Sequence, residues 1–147
     1  MPERDQIPIE DYICVALYRA SRAVTGLYRD LLADLDLTYP QYLAMRLLWQ
    51  RGTLPVRDIG AALGLDYGTL SPLLKRLETA GLIERRRRAD DERSVDIALT
   101  AEGKDLERAA AAIPNELSCA LGLNEGESSE LRETLRRLTA AVEEPRA

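Results

Sequence analysis

The sequence contains no histidine. That absence removes the usual general base, the Ser/His/Asp triad and every histidine-containing metal site. Its two cysteines, Cys14 and Cys119, stand far apart. Neither a CxxC redox motif nor a four-cysteine zinc site can be built within one chain. No GxxxxGK[ST] or GxGxxG occurs, so no phosphate-cradling loop is encoded. No apolar run approaches the roughly 18 residues of a membrane span, and MPERDQIPIEDY has no signal-peptide core. A soluble, cytoplasmic protein without metal or cofactor is expected, and not an enzyme.

What is present fits one domain: 147 residues, 46% hydrophobic and 31% charged. The net charge of −5 is unpromising for a polyanion binder, but it conceals a local reversal. Between Lys75 and Arg93 seven basic residues stand against five acidic ones, so this stretch carries +2 and the remainder −7. Contact with nucleic acid would be confined there.

Helical periodicity runs from about Ile9 to Asp34 through Ile13, Leu17, Val24, Leu27 and Leu31. Thr38-Tyr39-Pro40-Gln41 reads as a capping box opening a second helix, which passes Tyr42, Leu47 and Trp49 and stops before Gly52. Pro55 opens a short third helix closed by Gly64. A fourth carries Leu70, Leu73, Leu74 and Leu77 on one face and ends at Gly81, with Pro72 expected in its first turn. The period then changes to two, Val95, Ile97 and Leu99 alternating with Ser94, Asp96 and Ala98. Residues Leu82 to Arg88 can pair with that strand as a hairpin tipped by Ala89 to Glu92. Thr100 caps a fifth helix running toward Pro114, and a sixth spans about Asn124 to Glu143. The class is α+β, mostly α.

Two short helices joined by a glycine-containing turn and followed by a basic hairpin match a helix-turn-helix with a wing. Thr69, Ser71, Lys75 and Arg76 lie on the outward face of the second helix, where they can meet base edges and phosphates. The hairpin, with Arg85 to Arg88 on one strand and Arg93 at its tip, can lay guanidinium groups against a minor groove. The bland alternative is a salt-bridged surface in which the arginines face Asp90, Asp91 and Glu92.

The run LPVRDIGAALGLDYGTLSPLLKRLETAGLIERRRRADDERSVDIALTAEG resembles the winged helix-turn-helix of MarR-type repressors, down to the Asp91-Glu92-Arg93 wing tip. The resemblance implies a winged region at about 53–100, dimerisation helices at about 8–34 and 101–144, and a single domain over 1–147. It implies that Arg93 enters the minor groove and that Asp91 positions it, beside the DNA contacts that the basic strand itself offers from Arg85 and Arg86. Tyr67 departs from the family pattern, which often has a small polar residue there.

Cys14 sits on an apolar helix, with Tyr18 four residues on and nearly in line. Tyr28 shares that face but lies about 21 Å further along the axis. If two first helices cross antiparallel about a two-fold axis near Ser21, each Cys14 approaches the partner's Tyr28. Phenol O–H groups donating to sulfur would favour thiolate. The plainer alternative is a buried thiol among packed aromatics. The stretch CVALYRASRAVTGLYRDLLADLDLTYPQYLAMRLLW is similar to the organic-hydroperoxide-sensing (OhrR) branch of the MarR family. That similarity implies that Cys14 senses hydroperoxide, that Tyr18, Tyr28 and Tyr39 belong to its motif, and that Cys119 is its resolving partner. The protein would then be a homodimer bound to an inverted-repeat operator in double-stranded DNA and released by an organic hydroperoxide. Three alternatives stay open: a MarR-type repressor with a reversibly bound small-molecule ligand, a thiol peroxidase using Cys14 and Cys119, and a structural adaptor.

Overall fold

The computed structural model describes residues 7–88, 90 and 94–145. Contacts divide the chain into two compact units, residues up to Ala111 and from Ala112 onward. Among the described residues no helix is long and apolar enough to cross a membrane.

The first unit starts with a short 3-10 turn, Ile9–Asp11, and helix α1, Ile13–Leu31. The expected helix from Ile9 to Asp34 is thus shorter at both ends, where 3-10 turns replace it. Tyr28 and Leu32 at its C-terminal end are buried, whereas Ile9 and Ile13 are 67% and 69% exposed. The apolar stripe was correctly periodic, yet within one chain only its far end is covered. Helix α2, Tyr39–Arg51, opens on the expected capping box: Thr38 Oγ1 accepts from the Gln41 amide at 3.4 Å, and Gln41 Oε1 accepts from the Thr38 amide at 3.0 Å. Its Tyr42, Ala44, Met45, Leu47 and Leu48 form the centre of the core.

A two-residue strand β1, Leu54–Pro55, precedes helix α3, Val56–Leu63. Proline is tolerated in β1 because this is an edge strand. Helix α4, Tyr67–Thr79, buries Leu70, Leu73, Leu74 and Leu77 as the spacing requires. Pro72 is not in the first turn as expected. The helix starts at Tyr67, so Pro72 lies in the second turn and cannot donate to the Gly68 carbonyl. Strands β2, Ile83–Arg87, and β3, Val95–Leu99, form the expected hairpin, with Ile83 opposite Leu99 and Arg85 opposite Ile97. β1 joins the other side of β3, giving the order β1-β3-β2.

Helix α5, Ala101–Ala109, is capped by Thr100, whose hydroxyl accepts from the Gly103 amide at 3.0 Å. It ends before Pro114, and the second unit opens with a helix that the periodicity had not resolved: α6, Ile113–Leu121, with Pro114 in its first turn. Gly122, at φ 66°, turns the chain out of α6. Helix α7, Glu125–Glu143, follows its Asn124/Glu127 capping box and buries none of its residues. Leu131, Leu135 and Val142 stand exposed on it.

Candidate functional site

The helix pair owes its geometry to a tight turn. Gly64 at φ 67° ends α3, and a Cβ at Gly60 would lie 2.9 Å from the Leu65 carbonyl, so only glycine lets α3 approach the turn this closely. Asp66 caps α4, accepting from the Thr69 amide at 2.7 Å. Hydrogen bonds from the Thr69 backbone and side chain hold the Asp66 carboxyl below the usual range. Thr69, Lys75 and Arg76 are exposed on α4 and Ser71 is half-buried, so the expected reading face is open. Tyr67 begins the helix and is also exposed.

In the hairpin the arginines divide between the two sheet faces, as a period of two demands. Arg85 and Arg87 share a face with Ile97 and Val95, and Arg86 shares the other with Asp96. Arg85 Nε lies 3.7 Å from Glu78 Oε1 of α4. Arg86 pairs with Glu84, Nε to Oε1 at 2.9 Å, and Arg88 Nε reaches Asp96 Oδ1 at 3.2 Å. These partners differ from the wing-tip acids that the bland alternative supplied. Exposed pairs of this kind hold side chains in place more than they stabilise the fold. Arg87, the remaining arginine of the strand, has no ion pair among the described residues. Asp91 and Arg93 lie outside the described residues.

The thiol region is built differently. Cys14 is exposed near the start of α1 and Cys119 is exposed on α6. Tyr18 is 62% exposed beside Cys14's face, with the Arg22 guanidinium 5.7 Å from its ring centre. Tyr28 and Tyr39 are brought together, their rings stacked at 4.2 Å and 18°. Behind them Tyr42 lies 5.6 Å from Tyr28, and Trp49 meets Tyr42 edge-on at 6.3 Å. Sequence reasoning placed Tyr42 and Trp49 only as helix residues; their spacing of seven on α2 was the available signal. Cys14 precedes Tyr28 by fourteen positions on one helix, about 21 Å, so a single chain does not bring them together.

Burial, reinforced by Tyr39 and Tyr42, pushes the Tyr28 phenol up to about 12, and burial also raises Tyr39 and Tyr42. All three are protonated donors at neutral pH. The folded state therefore binds the Tyr28 proton more tightly than the unfolded chain, whose tyrosine titrates near 10. This stabilisation is complete below about pH 10 and is lost as pH rises toward 12, by roughly 2 kcal/mol. Urea midpoints across that range should fall for the wild type and fall less for Tyr28→Phe; equal slopes would show that Tyr28 ionises freely.

A capped helix pair, a glycine-tightened turn and a flanking hairpin define a winged helix-turn-helix protein. The sequence matches the MarR family over residues 37–95. It is 44% identical over 139 residues to the organic hydroperoxide resistance transcriptional regulator of Bacillus subtilis (strain 168), covering 95% of this chain and 92% of that one. The chain belongs to the MarR family. Among solved structures it is similar to reduced AbfR bound to DNA, with TM-score 0.79 and 29% identity over 95% of this chain and 98% of that one. It is also similar to AbfR with a disulfide formed, with TM-score 0.66 and 31% identity over 93% and 96%. AbfR is a protein of Staphylococcus epidermidis.

Proposed function

We propose that this protein is a homodimeric repressor that binds operator DNA and is released when an organic hydroperoxide oxidises Cys14. The observation that carries this reading is the exposed Cys14 thiol on the same helix as Tyr28, whose protonated phenol ring stacks on that of Tyr39 from α2. Two α1 helices crossing antiparallel would cover the open Ile9 and Ile13 face and set each Cys14 against the partner's tyrosines. The exposed apolar stripe of α7 supplies further surface for a second copy. Paired α4 helices would then enter successive major grooves about 34 Å apart, with the arginine strand against the adjoining minor groove. In this reading Arg93 would enter that minor groove and Asp91 would orient it, as the family resemblance implies.

Across such a crossing the partner's phenols would stand where they can donate to the Cys14 sulfur, which reacts as the thiolate. The thiolate attacks the terminal oxygen of the hydroperoxide, the O–O bond breaks, and the alkoxide leaves as an alcohol after taking a proton. Sulfur is oxidised to sulfenic acid and the peroxide is reduced. The Cys119 thiol of the other subunit then displaces water to form a disulfide.

A second reading, control by a reversibly bound small molecule, is favoured by a cavity of about 530 Å³ lined by Arg57, Tyr67, Leu70 and Arg85. A DNA mobility shift separates the two. Under the redox reading one equivalent of cumene hydroperoxide abolishes the shift, dithiothreitol restores it, and prior alkylation of the thiols blocks the response. A shift that persists at excess hydroperoxide overturns the redox reading.

A further inference from the structure

The aromatic stack does not end in the core. Tyr28 is held between Tyr39, at 4.2 Å, and Tyr42, at 5.6 Å; Tyr42 in turn takes the edge of Trp49 at 6.3 Å. The Trp49 indole Nε1 donates to the Gly103 carbonyl at 2.8 Å, in the first turn of α5. Gly103 is in contact with the wing's own backbone, because a Cβ there would lie 2.1 Å from the Leu82 carbonyl just before β2. Thr100, between β3 and α5, completes the junction. Its amide donates to Leu82 O at 3.1 Å, its hydroxyl donates to Gly81 O at 2.6 Å, and the same hydroxyl accepts from the Gly103 amide. An unbroken series of ring contacts and hydrogen bonds therefore runs from the Tyr28/Tyr39 pair to the base of the β2–β3 hairpin.

We infer that Trp49 is the positioning residue that couples the state of the tyrosine pair to the wing, acting through Tyr42 on one side and the Gly103 carbonyl on the other. The inference rests on the redox reading above. Three features make Trp49 the narrow point. Tyr28 is buried and its ring meets those of both Tyr39 and Tyr42, so a displacement of it bears directly on Tyr42. The indole N–H is the polar link between this aromatic column and α5. The Gly103/Leu82 approach is backbone on backbone, which cannot yield by a change of rotamer. A covalent change at the partner's Cys14 that displaces Tyr28 would thus be felt where the arginine strand begins, not only at the dimer seam.

The test is Trp49→Phe, which keeps an aromatic edge for Tyr42 and deletes the N–H. The reduced variant should bind operator DNA as the wild type does, and its thiol should be consumed by cumene hydroperoxide at the wild-type rate. Its loss of DNA affinity on oxidation should shrink from the ~10-fold or more expected of the wild type to below about 3-fold. Release equal to wild type overturns the inference. Because Trp49 is the sole tryptophan, DNA-free wild-type protein supplies an independent readout even if the variant folds poorly. Its emission should change after one equivalent of hydroperoxide, and not in Cys14→Ser; unchanged emission in oxidised wild type overturns the coupling. A wild type whose thiol is oxidised yet stays on DNA is a different failure, that of the redox reading itself.

Discussion

Gly103→Ala is expected to lower stability by roughly 3 kcal/mol or more, at the upper end of what overpacking costs. The added Cβ would sit 2.1 Å from the Leu82 carbonyl oxygen, and also 3.3 Å from Leu99 Cδ2. The oxygen is the difficulty. It belongs to the main chain and already accepts from the Thr100 amide, so relief requires moving α5 away from the sheet. That movement also stretches the Trp49 bond to the Gly103 carbonyl and the Thr100 cap. For a domain whose whole stability is on the order of 5–15 kcal/mol, the loss is a large fraction. Gly60→Ala is the graded comparison. Its nearest atom, Leu65 O, would be at 2.9 Å, so a loss of about 1–2 kcal/mol is expected. Urea unfolding followed by circular dichroism checks both. A Gly103→Ala midpoint equal to wild type would mean that α5 and the hairpin base do not touch.

The contrast between these glycines and the rest of the fold indicates what a sequence can reveal. Helix starts were legible because caps are local: Thr38 with Gln41, Thr100 with Gly103 and Asn124 with Glu127 each lie within four residues. The leucine face of α4 and the alternation of β3 were legible for the same reason. β1 was not, since a two-residue strand with proline exists only because β3 offers it a partner from more than forty residues away. α6 was hidden because the alanine run before it carries no stop signal and Pro114 serves a helix start as well as an end. At the candidate site, the resemblance named Tyr28 and Tyr39, but nothing in the spacing told that their rings stack. Their meeting depends on how α1 turns back onto α2. The arginine run likewise announced positive charge without its partners, one of which, Glu78, comes from α4.

Cys14→Ser is expected to leave operator affinity unchanged and to abolish release by organic hydroperoxide, the largest functional effect of any single change here. Serine differs from cysteine by one atom, and position 14 is exposed within the chain, so the fold has little to lose. The hydroxyl cannot form a sulfenic acid or a disulfide, however, so no covalent signal can be written. Cys119→Ser separates the second step from the first. If Cys119 resolves Cys14 across the dimer, oxidised wild type runs as a covalent dimer on non-reducing denaturing gels, and both serine variants run as monomers. A disulfide needs Cα atoms within about 7 Å, so if the reduced dimer holds Cys14 and Cys119 of different subunits farther apart, its formation must shift or locally unwind one of their helices. Release in Cys119→Ser on addition of a small thiol with hydroperoxide would assign Cys119 a structural place and leave Cys14 as sensor. Release in Cys14→Ser would remove Cys14 from the mechanism, and with it the redox role of the phenols that meet where α1 ends and α2 begins.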